Sequence, residues 1–291
     1  MSKFSPGRRR LLRGMAAGGV ALPVAMLLGR HADAAGSAAG PTLIFRLDDA
    51  EAGDKEDVVA ALIEVFQRRH LVLDVGVVPF GGGQDSFAMP FLRDYLHAGA
   101  VNISVHGLRH FFGEFRLARQ GAEVAAETAR QLARVRHDMG DYYGQAPIAF
   151  TVPYDRYDRA GYDAIRSAGF RILSGQWRSE LHPSQRPVDY DGHSDVNGLI
   201  RLPVIRDVTA WQGGQGWGAV VPADKLLQSV QRSLSGLDVA VLGVHPEAFV
   251  QPQSSTPDQA KLERLDALLA LLTASLSVTT FAGWYAAHAP A

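Results

Sequence analysis

An irregular parallel (β/α) barrel of seven or eight strands, in a single domain, is the fold this sequence predicts. Three observations carry it. Short apolar runs rich in Val, Ile, Leu and Phe alternate with segments of helical periodicity from Thr42 to Phe281, the pattern of repeated strand–helix–strand units. Four residues suited to chemistry or to shaping a site, Asp48, His106, Pro153 and His245, each follow directly on an expected strand. In a parallel barrel the carboxyl ends of the strands open on one face, where chemistry gathers.

The elements follow in order. A strand at 42–47 leads to a helix at 55–70, with Val58, Leu62, Val65 and Phe66 at helical spacing. A strand at 71–78 ends in the loop Pro79-Phe80-Gly81-Gly82-Gly83, and a helix at 86–97 leads to a strand at 100–105. A long helix at 122–139, a strand at 147–152, a helix at 159–168 and a strand at 170–174 continue the alternation. Residues 175–198, rich in Gly, Pro, Ser, Asp and His, read as a long functional loop. A strand at 199–205, a helix at 222–234 and a strand at 238–244 come next. Thr256-Pro257-Asp258-Gln259 reads as a capping box with proline at the first helical position. Its helix carries Leu262, Leu265, Leu268, Leu269 and Leu272, and a strand at 277–281 closes the fold.

Ahead of the barrel, residues 1–34 read as an export signal. Arg8-Arg9-Arg10 and Leu11-Leu12 precede an apolar stretch from Gly14 to Gly29, then Ala32-Asp33-Ala34, a small-residue cleavage pattern. Arg8-Arg9 followed by x-Leu-Leu resembles a twin-arginine signal, which implies a periplasmic or secreted protein. The stretch is short for a membrane span, so the mature form is expected to carry none. Residues 35–41 read as a flexible tether, and 42–291 as the catalytic barrel.

The chain has 29 Lys and Arg, 30 Asp and Glu, and no cysteine. Removing 1–34 takes away six basic residues and one acidic, leaving a net charge of −6. That excludes a nucleic-acid partner, whose binding rests on neutralising phosphates. Without cysteine, any metal must be held by His, Asp or Glu.

The sequence offers such groups. Asp48 and Asp49 are adjacent at a strand end, His106 and His110 are four apart, and His245 follows an apolar strand. Each alone has a plainer explanation: a turn or cap for the aspartates, a chance pair, a satisfied core histidine. Together, one carboxylate and two imidazoles with the remaining positions open describe a catalytic site, because structural zinc sites close all four positions. His245 could then serve as a proton donor near neutral pH.

The segments LDDA (47–50), HGLRH (106–110), TVPY (151–154) and LGVH (242–245), in this order, resemble the NodB-homology polysaccharide deacetylases, a family of metal-dependent carbohydrate esterases. The resemblance spans roughly 42–282 and implies an irregular (β/α) barrel. It implies Asp48 as general base, and Asp49, His106 and His110 as ligands of a divalent ion. Zinc is the default ion, with cobalt, nickel or iron also fitting. It implies that Tyr154, after Pro153, gives its backbone N–H to the oxyanion, that His245 is the general acid, and that Leu242 lines the acetyl pocket. The implied substrate is an N-acetylated glycan of the envelope or an exopolysaccharide. A glycan-binding barrel of weak activity and a hydrolase of another amide or ester are the alternatives.

Two departures stand out. Ala50 replaces the family's glycine after the aspartates, and Thr151 stands where the family has an arginine that orients the catalytic carboxylate. Arg46, two residues before Asp48 and so on its face of the strand, can replace that arginine; pointing outward is the alternative. The family's Asp–Trp pair that tunes the acid histidine has Trp177 as its nearest match, with Asp207 as another candidate partner of His245. Trp211, Trp217 and Tyr190 are candidate sugar-stacking aromatics. His182 and His193 read as solvent-facing, and RLPV (201–204) as a strand without chemistry.

Overall fold

The computed structural model describes residues 42–83, 85–175, 199–234 and 239–288. The expected signal and tether, and all of the expected loop beyond Gly175, lie outside these residues. The elements are β1 (Thr42–Ala50), α1 (Glu56–Gln67), β2 (Leu73–Val77), α2 (Pro90–His97), β3 (Val101–His106) and α3 (Ala122–Tyr143). Then come β4 (Ala149–Thr151), α4 (Arg159–Ser167), β5 (Ile172–Ser174), β6 (Ile200–Arg201), β7 (Val204–Asp207), β8 (Thr209–Trp211) and β9 (Trp217–Val220). The chain continues with α5 (Ala223–Leu234), β10 (Val239–Val244), α6 (Gln259–Leu272), β11 (Ser277–Thr279) and α7 (Phe281–His288). No helix among the described residues is long and apolar enough to cross a membrane.

The main sheet is parallel and ordered β6-β5-β4-β3-β2-β1-β10-β7. Its outermost strands, β6 and β7, are separated in sequence only by Leu202 and Pro203. Three residue steps reach at most about 11 Å, so the two edges meet and the sheet curls into a barrel. The strand expected at 199–205 is therefore one strand broken at Pro203, which has no N–H to give. Leu202 and Val204 donate to the carbonyls of Leu173 and Gly175 at 3.0 and 2.6 Å, while Val204–Asp207 pairs with β10. β11 pairs with the start of β1, Thr42–Ile44, and β2 with its later residues. That shared edge makes the barrel irregular.

Side chains alternate across each strand, and here the alternation separates two cores. Leu43, Phe45, Leu47, Ala240, Leu242 and Val244 face the helices; Phe45 meets Phe66 of α1 edge to face, 5.1 Å between centroids. Ile44, Ala149, Ile172, Val204, Val239 and Val241 form a second cluster inside the barrel, packed with Phe281 and Trp284 of α7. Toward the carboxyl ends of the strands the interior turns polar. Arg46, Asp48, Ser104, His106, Thr151 and Ser174 are all buried there, and Asp74 and Asn102 are buried nearer the amino ends of β2 and β3. Burying this many polar groups is costly unless they pair, and their pairing builds the site.

Two element expectations need correction. α6 is capped by Asp258, whose carboxylate accepts from Lys261 N–H at 3.1 Å, and not by Thr256. Pro257 lies ahead of the cap, bridged to Val250, and Thr256 accepts from Gln251 N–H at 2.9 Å with its carbonyl. The strand expected through Phe281 ends at Thr279, and α7 follows. This helix closes the amino end of the barrel, and Phe281 N–H is held at 3.0 Å by the Asp74 carboxylate.

Asp74 is fully buried and also accepts from Asn102 Nδ2 at 2.9 Å. Burial raises its pKa from 3.8 to about 6, against the pull of these hydrogen bonds. Because the folded value is the higher one, folding takes up a proton between the two. The contribution of Asp74 to stability is thus greatest below pH 4 and falls as pH rises through 6, by about 3 kcal/mol in all. Asp74→Asn, which has no charge to bury, is expected to gain on the wild type between pH 4 and pH 7.5 in urea unfolding. A stability difference independent of pH contradicts this.

Candidate active site

The inward stripe of β1 ends in Arg46 and Asp48. Asp48 is 1% exposed, and Arg46 donates to its Oδ2 through Nε at 3.1 Å and Nη2 at 2.5 Å. Arg46 Nη1 donates to Ser174 Oγ at 2.9 Å, which passes its own proton to Leu202 O at 2.7 Å. The guanidinium thus crosses the barrel from β1 to β5. Burial opposes its charge, but Asp48, Asp155 and Asp207 outweigh burial and raise its pKa.

Strict alternation would turn Asp49 away from Asp48. Instead the β1–β2 register shifts between Leu47 and Ala50, and Asp49 takes φ 60°, a conformation Asp tolerates better than most residues. Its Oδ1 then lies 3.1 Å from His106 Nε2 and 2.9 Å from His110 Nε2. Burial works against the carboxylate, but the His106 and His110 imidazoles that face it hold its pKa well below the usual range.

His106 ends β3, and the chain reverses at once through Gly107 at φ 71°. A Cβ there would collide with the ring of Pro153 and lie 2.6 Å from Glu114 Oε2. Only glycine lets the loop close this tightly. Buried Glu114 accepts from Leu108 N–H at 3.2 Å and Arg109 N–H at 2.8 Å, so it holds the loop that returns His110 to the site. Sequence reasoning missed Glu114. Its signal, a lone Glu after Phe111-Phe112-Gly113, has no metal-ligand spacing.

His245 follows β10 across the cavity. Its Nε2 is 3.7 Å from Asp48 Oδ2 and its Nδ1 3.6 Å from Asp207 Oδ1. Trp217 stacks on the ring, 4.3 Å between centroids and tilted 28°. Trp177, the expected aromatic neighbour, lies outside the described residues, as do Tyr190, His182 and His193. An Asp–Trp pair does flank His245, assembled from Asp207 on β7 and Trp217 on β9. The β8–β9 hairpin has no counterpart among the elements expected from sequence.

Leu242 does not line the site. It is three residues before His245 and faces the helices in the outer core. The inward position is Gly243, where a Cβ would run into the Asp207 carboxylate. Tyr154 lines the cavity in a left-handed conformation, φ 54°, with its ring over His110 at 4.9 Å. Pro153 packs beneath on Gly107. Trp211, 61% exposed, stands edge-on to Trp217 at the cavity rim. Val204 of the RLPV segment lines the wall.

The cavity has a volume of about 540 Å³. Among the described residues, Asp49, His106 and His110 are the one group of three potential ligands, with donor atoms all within 4.8 Å of one another. One carboxylate oxygen and two imidazole nitrogens converge on one point and leave other positions open, a donor set that fits a catalytic divalent ion.

No family model matches the sequence, and no curated protein matches it. Solved structures do match. A family 4 acetyl xylan esterase from Clostridium thermocellum, solved with a cobalt ion, aligns at a TM-score of 0.52 and 14% identity, over 84% of this chain and 90% of that one. A Mycobacterium smegmatis protein described as a polysaccharide deacetylase aligns at 0.55 and 17%, over 84% and 88%. An allantoinase aligns at 0.54 and 14%, over 86% and 92%. What such distant structures share with this chain is architecture, and on that ground it has the fold of the NodB-homology polysaccharide deacetylases.

Proposed function

We propose that this chain is a metal-dependent hydrolase that removes N-acetyl groups from a polysaccharide of the envelope or the extracellular space. The observation that carries the proposal is the convergence of Asp49, His106 and His110 beside the buried Asp48–Arg46 pair, with His245 facing Asp48 at 3.7 Å. Asp49, His106 and His110 would hold the ion, zinc before cobalt, nickel or iron. Bound there, it would polarise the acyl carbonyl and activate water.

The chain's own residues complete the reaction. Asp48 takes the proton of the attacking water, its carboxylate fixed by two bonds from Arg46. The Tyr154 N–H, on the turn after β4, supports the oxyanion. His245, held between Trp217 and Asp207, gives a proton to the departing nitrogen. One proton is taken and one returned, and the products are acetate and a free amine. The aromatic rim of Trp211, Tyr154 and Phe112, each well exposed, suits stacking on sugar rings. The export pattern in residues 1–34 supports a substrate outside the cytoplasm.

Release of acetate from an N-acetylglucosamine oligomer tests the reading. Turnover is expected to stop with chelator and to return with added zinc or cobalt. Oligomer binding without acetate release favours the glycan-binding alternative. Because an allantoinase shares the fold, allantoin belongs in the same assay, and turnover of allantoin alone overturns the polysaccharide reading.

A further inference from the structure

We infer that Thr151, where the related deacetylases carry an arginine, is a positioning residue for the metal: it presents Nε2 of His106, and no other atom of that ring, to the ion. The inference rests on the metal-site reading above. His106 and Thr151 are direct partners in the β3–β4 register, and both are buried. His106 Nδ1 lies 2.6 Å from Thr151 Oγ1 and 3.3 Å from Thr151 O. The carbonyl oxygen can only accept, so it favours a proton on Nδ1. The hydroxyl has one proton and places it toward Val105 O at 3.3 Å. Its lone pairs are therefore left for Nδ1–H. Both neighbours of Nδ1 act as acceptors, and the neutral ring carries its proton on Nδ1. The lone pair of Nε2 then faces Asp49 Oδ1, 3.1 Å away, at the point where the three ligand atoms converge.

The opposite tautomer would put a proton on Nε2 and obstruct coordination. Groups that hold the far nitrogen of a ligating histidine typically change metal affinity by about 10- to 100-fold. An arginine at 151 could not take this role, since guanidinium has no acceptor for Nδ1–H. The space is also taken: Ser174, the register partner of Thr151 on β5, receives the Arg46 guanidinium that has come across from β1. The arginine at 46 and the threonine at 151 are thus one rearrangement. Arg46 serves the carboxylate from β1, which frees position 151 to serve His106.

The test is the zinc dissociation constant of the full chain, by competition with a chromophoric chelator, for wild type, Thr151→Val, Thr151→Ala and Thr151→Ser. Thr151→Val keeps the shape and removes the acceptor; it is expected to bind zinc about 10- to 100-fold more weakly, with Thr151→Ala alike and Thr151→Ser restored to near wild type. The visible spectrum of the cobalt form should change in the valine and alanine variants and return in the serine variant, which loss of packing alone does not produce. Urea unfolding of the metal-free proteins reports on the fold, and if the valine variant fails to fold the alanine variant decides. Tight zinc binding by wild type and by a folded valine or alanine variant alike overturns the role of Thr151 and leaves the metal site standing. If wild type itself binds no zinc or cobalt, the metal-site reading fails, and this inference with it.

Discussion

Asp48→Asn is expected to lower the rate of acetate release by about 100- to 10,000-fold, the range for losing a general base, without changing the amount of bound metal. Asparagine has the same shape, so the cavity and the ligands Asp49, His106 and His110 stay as they are. What it lacks is the basic oxygen that takes the proton from water. Asp48 is also the nearest partner of a buried guanidinium, and breaking a buried pair costs about 3–5 kcal/mol when one charge remains. Asp155 and Asp207 still face Arg46 and soften that loss. Thermal unfolding must therefore accompany the kinetics. A folded, metal-loaded variant that keeps more than a tenth of wild-type turnover contradicts the assignment.

Arg46→Met is expected to be the more damaging change to the fold. It leaves Asp48 buried at 1% exposure without its charge partner and takes from Ser174 its donor. A destabilisation of about 3–5 kcal/mol is expected, together with a loss of turnover at unchanged metal content. Arg46→Lys should recover only part, because an ammonium is a point charge and cannot make two bonds to Asp48 while reaching Ser174. The double variant Arg46→Met/Asp48→Asn should be more stable than the sum of the single changes, since it removes both charges together. Additive losses, or an Arg46→Met protein with wild-type turnover, contradict the pairing of Arg46 with the base.

Much of this arrangement was legible because single residues sit at strand ends. Asp48, His106 and His245 each close an apolar run, and the barrel gathers those ends on one face. Arg46 was legible as a strand neighbour two residues from Asp48. Leu242 was placed in the acetyl pocket by the resemblance alone, and the strand could not correct it: β10 is buried on both faces, so VAVLGV has no polar alternation to tell inside from outside. Counting back by two from His245 reaches Gly243, which is the inward position. α7 was not anticipated as a helix: the strand expected at 277–281 took in only its first residue, and its mostly apolar sequence shows no amphipathic stripe to announce it. Trp217 reaches His245 only through the β8–β9 hairpin, and Glu114 acts through backbone N–H groups, which no spacing of side chains announces.

The most direct test of the account is a crystal of the full chain, purified without added metal, soaked in zinc and measured on both sides of the zinc absorption edge. One strong anomalous peak is expected, at coordination distance from Asp49 Oδ1, His106 Nε2 and His110 Nε2 together. A peak elsewhere, or none at these three atoms at saturating zinc, contradicts the claim that they form a catalytic metal centre.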